Sequence, residues 1–120
     1  MMTRYHLLHV PSSQRIAVVT RADTWLSKGW GVLGRRSLPP GEGLWLPGVA
    51  SVHTLGVRFT LDLLFLNDNM QTLRAVQNVP PCRFLVRASG ASHTLEFGAG
   101  TLSSLRLPVR IGDDWRLERE

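Results

Sequence analysis

The sequence predicts a β-rich α+β domain: a compact, mainly antiparallel sheet of about eight short strands, curled or barrel-like, with one or two short helices. Three observations predict it. Proline and glycine recur about every ten residues, from Pro11 through Gly29, Pro39-Pro40-Gly41, Pro47-Gly48, Pro80-Pro81, Gly90, Gly98 and Pro108 to Gly112. Short strands survive that spacing and long helices do not, because proline removes a backbone donor and glycine costs helix entropy. Residues 59–66 alternate with period two, as a strand does. The 120 residues are 43% hydrophobic and 19% charged, which suits one buried core and a single domain over 1–120. A sheet of this size curls or closes to bury its apolar face and hide its edges.

The elements follow in order. Residues 4–10 and 15–20 flank the turn-like Pro11-Ser12-Ser13-Gln14 and read as a hairpin. Asp23 or Thr24 caps a short helix through Lys28, ended by Gly29. Residues 44–46 and 51–54 are short strands. Over 59–66, Phe59, Leu61, Leu63 and Phe65 share one face, and Thr60, Asp62, Leu64 and Leu66 the other. Asn67-Asp68-Asn69 supplies turn residues that tolerate left-handed conformations, so residues 70–76 return antiparallel. Strands at 83–87 and 93–97 come next. Thr101 caps one helical turn through Leu105, which stops before Pro108. Residues 115–118 form the last strand.

Charge and cysteine content exclude several classes. The net charge is +5, and it lies in the first third: residues 1–40 carry six basic side chains and one acid, Asp23, while the rest balances. Thirteen of the fourteen basic residues are arginine, which keeps its charge and presents a planar fork to carboxylate or phosphate. That excess reads either as an anion-binding face or as a solvated basic surface. One cysteine, Cys82, excludes an internal disulfide and a Cys-only metal site. The longest apolar run, Leu63-Leu64-Phe65-Leu66, falls far short of the ~20 residues of a membrane helix. The first ten residues lack the apolar core and small-residue cleavage site of a secretory signal, so the expected location is cytoplasmic.

Several patterns touch on chemistry. Gly29-Trp30-Gly31-Val32-Leu33-Gly34 fits G-x-G-x-x-G, but it follows a helical turn and runs into Pro39-Pro40, which is the wrong context for a dinucleotide site. His6 and His9 are three apart, so on a strand they point to opposite faces and make no metal pair. Neither metal nor cofactor is expected. Trp25, Lys28, Trp30, Arg35 and Arg36 interleave aromatic and basic residues as a nucleic-acid surface does, although tryptophan more often anchors a core.

Asp62 is the residue that demands an explanation. A carboxylate among Leu61, Leu63, Leu64 and Phe65 needs a partner or a cavity, or it gives up its charge. Arg58, four residues earlier, falls on the same strand face, and His53 and Thr54 lie just upstream. The set reads as a polar cluster on a ligand, or as a structural aspartate that pins a turn or an amide; the structural reading is favoured. Cys82 precedes Arg83, which favours a thiolate, but a nucleophile also needs a base such as His53 or His93. An inert thiol is the favoured reading.

The chain resembles the domain of unknown function 192 family. The resemblance rests on Lys28-Gly29-Trp30-Gly31 with Leu33 and Arg35, then Ser37-Leu38-Pro39-Pro40-Gly41-Glu42-Gly43-Leu44. It continues in Val52-His53-Thr54, Arg58-Phe59, Leu61-Asp62-Leu63-Leu64-Phe65-Leu66 and Asn78-Val79-Pro80-Pro81-Cys82. Leu95-Glu96, Ala99-Gly100-Thr101 and Ile111-Gly112-Asp113 complete it, over about residues 15–118. Thr60, Gly56, Asn67-Asp68 and Trp30-Gly31 depart from the family pattern. The resemblance implies a β-rich domain with a curled sheet, and it implies no activity.

Three readings of function result. The first is a binding module for a small anionic ligand or peptide, with Arg35, Arg36 or Arg58 on the charge and His53, Thr54 and Asp62 orienting it. The second is an interaction domain whose basic first third docks an acidic protein or nucleic acid. The third is a small enzyme using Asp62 with His53, or Cys82. No recognised catalytic motif is present, and the binding module ranks first.

Overall fold

A computed structural model describes residues 3–22, 37–55, 57–83 and 85–120. Nine strands run through it: β1 (Arg4–His9), β2 (Gln14–Arg21), β3 (Glu42–Pro47), β4 (Ser51–Val52), β5 (Leu61–Leu66), β6 (Thr72–Val79), β7 (Val86–Arg87), β8 (His93–Gly98) and β9 (Trp115–Arg119). Seven form one sheet in the order β6-β5-β8-β3-β2-β1-β9, and β4 pairs with β7 apart from it. All neighbours are antiparallel except β2 and β3, which are parallel. The sheet curls until its two edges meet at one end. There Gln71 bridges Asp114, the Thr72 amide donates to the Asp113 carbonyl at 2.9 Å, and the Trp115 amide donates to Met70 at 3.0 Å.

The expected α+β class is corrected. The protein is nearly all sheet, curled into a half-barrel; among the described residues the only helical piece is a 3₁₀ turn over Leu102–Ser104. The helix expected over 23–28 lies outside the described residues. The physical reason at 101–105 is visible. The Thr101 hydroxyl does not cap a helix; it donates to the Gly98 carbonyl at 2.6 Å and accepts from the Gly41 amide at 3.0 Å. Leu105 is already extended, and Pro108 follows, so the turn cannot lengthen.

Strand alternation builds two apolar layers. Leu7, Val19, Trp45, Leu64, Leu66, Leu95 and Phe97 line the concave core, which Leu102 and Trp115 plug. Leu44, Leu46 and Leu61 on the other face pack under Val57, Leu38 and Ala22, and Leu63 and Phe65 pack with Val79, Val86 and Ala88. Strand β5 is therefore buried on both faces along its whole length, and each of its large apolar side chains contributes about 1.5–3 kcal/mol. Gly98 allows the closest approach. A Cβ there would run into the Leu38 and Pro39 carbonyl oxygens, so the chain entering β3 lies directly against the end of β8.

Candidate functional site

Asp62 is fully buried and holds two amides. Its Oδ1 accepts from Asn78 N–H at 3.0 Å and its Oδ2 from Leu102 N–H at 2.9 Å. Local backbone geometry creates the first bond. The β5–β6 register slips between Leu61 and Leu63, and Asn78 takes a left-handed φ of 56° that turns its amide toward the carboxylate; asparagine tolerates this where a branched residue does not. The second bond caps the 3₁₀ turn with negative charge. Asp62 thus ties β6 and the turn to β5.

Thr54 is also buried and serves a turn. Its hydroxyl donates to the Pro80 carbonyl at 2.8 Å and accepts from Arg83 N–H at 2.7 Å. Its own amide and carbonyl bond Arg83 and Cys82. The Pro80-Pro81-Cys82-Arg83 turn, with Cys82 at φ 66°, is in this way stitched to the β4–β5 connection.

The other predicted residues stand apart. His53, Arg58 and Cys82 are exposed, and no hydrogen bond or ion pair among the described residues joins His53 or Arg58 to Asp62. The strand begins at Leu61, so Arg58 lies in the connection before it and not on the strand face of Asp62. Arg35 and Arg36 lie outside the described residues. Among those described, no group of three or more His, Cys, Asp or Glu side chains could hold a metal ion.

The structure assembles a second polar group around His9, which the sequence offered only as half of a discounted metal pair. His6 faces outward, and its Nε2 lies 4.0 Å from Glu120. His9 faces the core and is fully buried, its ring 4.7 Å from that of Trp115. Both ring nitrogens of His9 are engaged: Nδ1 with the Ser12 hydroxyl at 2.8 Å and Nε2 with Asp113 Oδ2 at 2.8 Å. Asp113 also accepts from Arg110 N–H at 2.9 Å. Partial burial pushes the Asp113 carboxyl up, but the hydrogen bonds from the His9 ring and the Arg110 amide, with the positive Arg110 side chain nearby, outweigh it and hold the carboxyl below its ordinary value. His9 and Asp113 border a cleft of about 240 Å³, together with Pro11, Leu107, Pro108 and Arg110. Alternation of Tyr5, Leu7 and His9 on an apolar strand face was the available signal for a histidine needing partners. Asp113, 104 residues away, carried none.

Glu96 is a third case. It sits on β8 opposite Leu44 and Leu63, on the face away from Asp62. Among the described residues its buried Oε2 has no hydrogen-bond partner, and burial pushes its carboxyl from 4.5 up to about 7. A protonated carboxyl is the cheaper state there, because an unpaired buried charge costs several kcal/mol.

Comparison with known proteins agrees with this architecture. The family model of the domain of unknown function 192 (DUF192), described as "Uncharacterized ACR", matches residues 8–116. No curated protein matches the chain. A crystal structure from Sinorhizobium meliloti 1021, of a protein provisionally described as a transcription regulator, is similar with a TM-score of 0.79 and 22% identity, over 98% of this chain and 94% of that one. A protein of unknown function from Novosphingobium aromaticivorans DSM 12444 is similar with a TM-score of 0.77 and 20% identity, over 96% of this chain and 84% of that one. At these identities the likeness is one of fold.

Proposed function

The chain belongs to the domain of unknown function 192 family, and on that premise we propose that it is a binding module for a small anionic ligand, seated in the cleft between the β1–β2 turn and residues 107–113. One observation carries the reading: Arg110 is among the residues that line an apolar-walled cleft, and no hydrogen bond or ion pair among the described residues engages its guanidinium. A planar guanidinium beside apolar walls suits a carboxylate on a short carbon skeleton. The volume, about 240 Å³, lies below the ~300–1,000 Å³ of drug-sized sites, so the ligand is a few-carbon anion. The His9–Asp113 couple fixes the cleft wall. No described helix is long and apolar enough to cross a membrane; a bacterial cytoplasmic location is part of the proposal, and the exposed free thiol of Cys82 is compatible with a reducing compartment.

The seat expected from the sequence, His53, Thr54, Arg58 and Asp62 with Arg35 and Arg36, is the alternative that the test addresses; Thr54 and Asp62 are spent on backbone partners, which leaves the exposed Arg58 as its probe. A thermal-shift screen of small carboxylates and phosphates separates the two. A ligand at a hundredfold excess over its dissociation constant stabilises by about 2.7 kcal/mol. The expected result is a melting shift abolished by Arg110→Ala and kept in Arg58→Ala. A shift lost in Arg58→Ala and kept in Arg110→Ala moves the site to the second seat, and no shift from any anion refutes the proposal.

A further inference from the structure

The Ser12, His9 and Asp113 side chains form a connected hydrogen-bond chain, and we infer that Ser12, next to the cleft wall that Pro11, His9 and Asp113 make, is an activated nucleophile that cleaves small esters. The proton positions follow from the partners. Asp113, held ionised, can only accept, so His9 Nε2 carries a proton toward it. In the neutral ring Nδ1 is then the acceptor, and the Ser12 O–H donates to it at 2.8 Å. The hydroxyl's other acceptor, the His9 carbonyl, is 3.4 Å away and weaker. A serine beside a base that is itself oriented by a carboxylate is the arrangement nucleophilic catalysis requires. The ring is used in the opposite sense to the serine proteases, Nδ1 toward serine and Nε2 toward aspartate, and conjugation between the two nitrogens makes either sense competent.

The surroundings support the assignment. Full burial of His9 against Trp115 holds the ring in one orientation, while Ser12 lies half-buried in the β1–β2 turn where a substrate can reach it. Arg106 donates through Nη2 to the Ser12 carbonyl at 3.1 Å, which holds the turn that carries the serine. In the reaction, Ser12 Oγ bonds to the ester carbonyl carbon as its proton passes to His9 Nδ1. The bond to the leaving alcohol breaks, and the alkoxide takes that proton. Water then attacks the acyl-serine, gives a proton to Nδ1, and Ser12 leaves with it. The net change is ester and water to acid and alcohol, with no redox step. The substrate class, an ester carrying a carboxylate for Arg110, rests on the anion-binding reading; the nucleophile does not.

The test uses the intact protein and an uncharged alkyl fluorophosphonate, read by mass spectrometry with peptide mapping. The expected result is one covalent adduct on Ser12, absent from Ser12→Ala and formed roughly 10²–10⁴-fold more slowly in Asp113→Asn. Wild-type protein that gains no adduct on Ser12 overturns the inference, as does labelling at an equal rate in Asp113→Asn or in denatured protein. Hydrolysis of p-nitrophenyl hydrogen succinate against p-nitrophenyl acetate then isolates the substrate class. Arg110→Ala should remove any preference for the succinate; an unchanged preference overturns the charged-substrate assignment while the Ser12 adduct stands.

Discussion

Asp62 draws two backbone amides from distant parts of the chain into one buried carboxylate. Removing it leaves the Leu102 amide unsatisfied inside the protein, whereas Asn78 is exposed and its amide can turn to water. Asp62→Ala should therefore lower the unfolding free energy by about 1–3 kcal/mol, measured by urea denaturation. A loss below about 0.5 kcal/mol would show that the carboxylate is not a structural hub. That this residue needed partners was legible in the sequence, because a carboxylate flanked by leucines cannot stay charged alone. Which partners it found was not legible. They are amides, present at every residue and distinguished only by the bulge at Asn78 and the turn at Leu102.

At the scale of elements, the strands were legible because their alternation is local. Strand β5 and its return in β6 follow from the apolar run and the Asn67-Asp68-Asn69 turn, where the Asn67 side chain accepts from the Asn69 and Gln71 amides at 2.9 and 3.0 Å. The expected helical turn after Thr101 shortened because its cap residue bonds elsewhere, a tertiary competition that local propensity does not report. Close approach between elements is equally invisible in sequence. Gly98 lies where a side chain would strike the Leu38 and Pro39 carbonyls, and backbone cannot yield as a side-chain tip can. Gly98→Ala should cost about 1–3 kcal/mol by overpacking, read as a lowered denaturation midpoint with unchanged slope. Wild-type stability in that variant would mean that the 38–39 segment moves freely from β8.

For the whole molecule, buried titratable groups set how stability varies with pH. Glu96 binds its proton more tightly folded than unfolded, with values of about 7 and 4.5. Stability from this group is full below pH 4.5, falls as pH rises from there to about 7, and is flat above; the total is about 3 kcal/mol. His93 acts in the opposite sense. Burial lowers its value from 6.5, offset in part by Asp68 and reinforced by Arg21, so its contribution rises with pH up to 6.5. Asp113, held below 3.8, contributes above that value and loses its contribution in acid. Glu96→Gln separates these terms: it should flatten the decline between pH 4.5 and 7 and leave the variant more stable than wild type at pH 8. Urea unfolding across that range checks it, and parallel wild-type and variant profiles would show that Glu96 does not titrate there.

The sequence alone determined the kind of molecule: a single β-rich chain of short strands, its alternation, its turns and its family. Each of those depends on neighbours within about ten residues, and the spacing of apolar side chains, prolines and glycines records them. Only the tertiary structure decided how the sheet orders its strands, where its edges meet through Gln71 and Asp114, and which polar groups meet. His9 and Asp113 are brought together because β1 pairs with β9, and Glu96 and Asp62 are sent to opposite faces because β8 and β5 pair one residue out of phase. Such juxtapositions depend on strand register across the sheet, a property of packing between distant segments that no local pattern encodes.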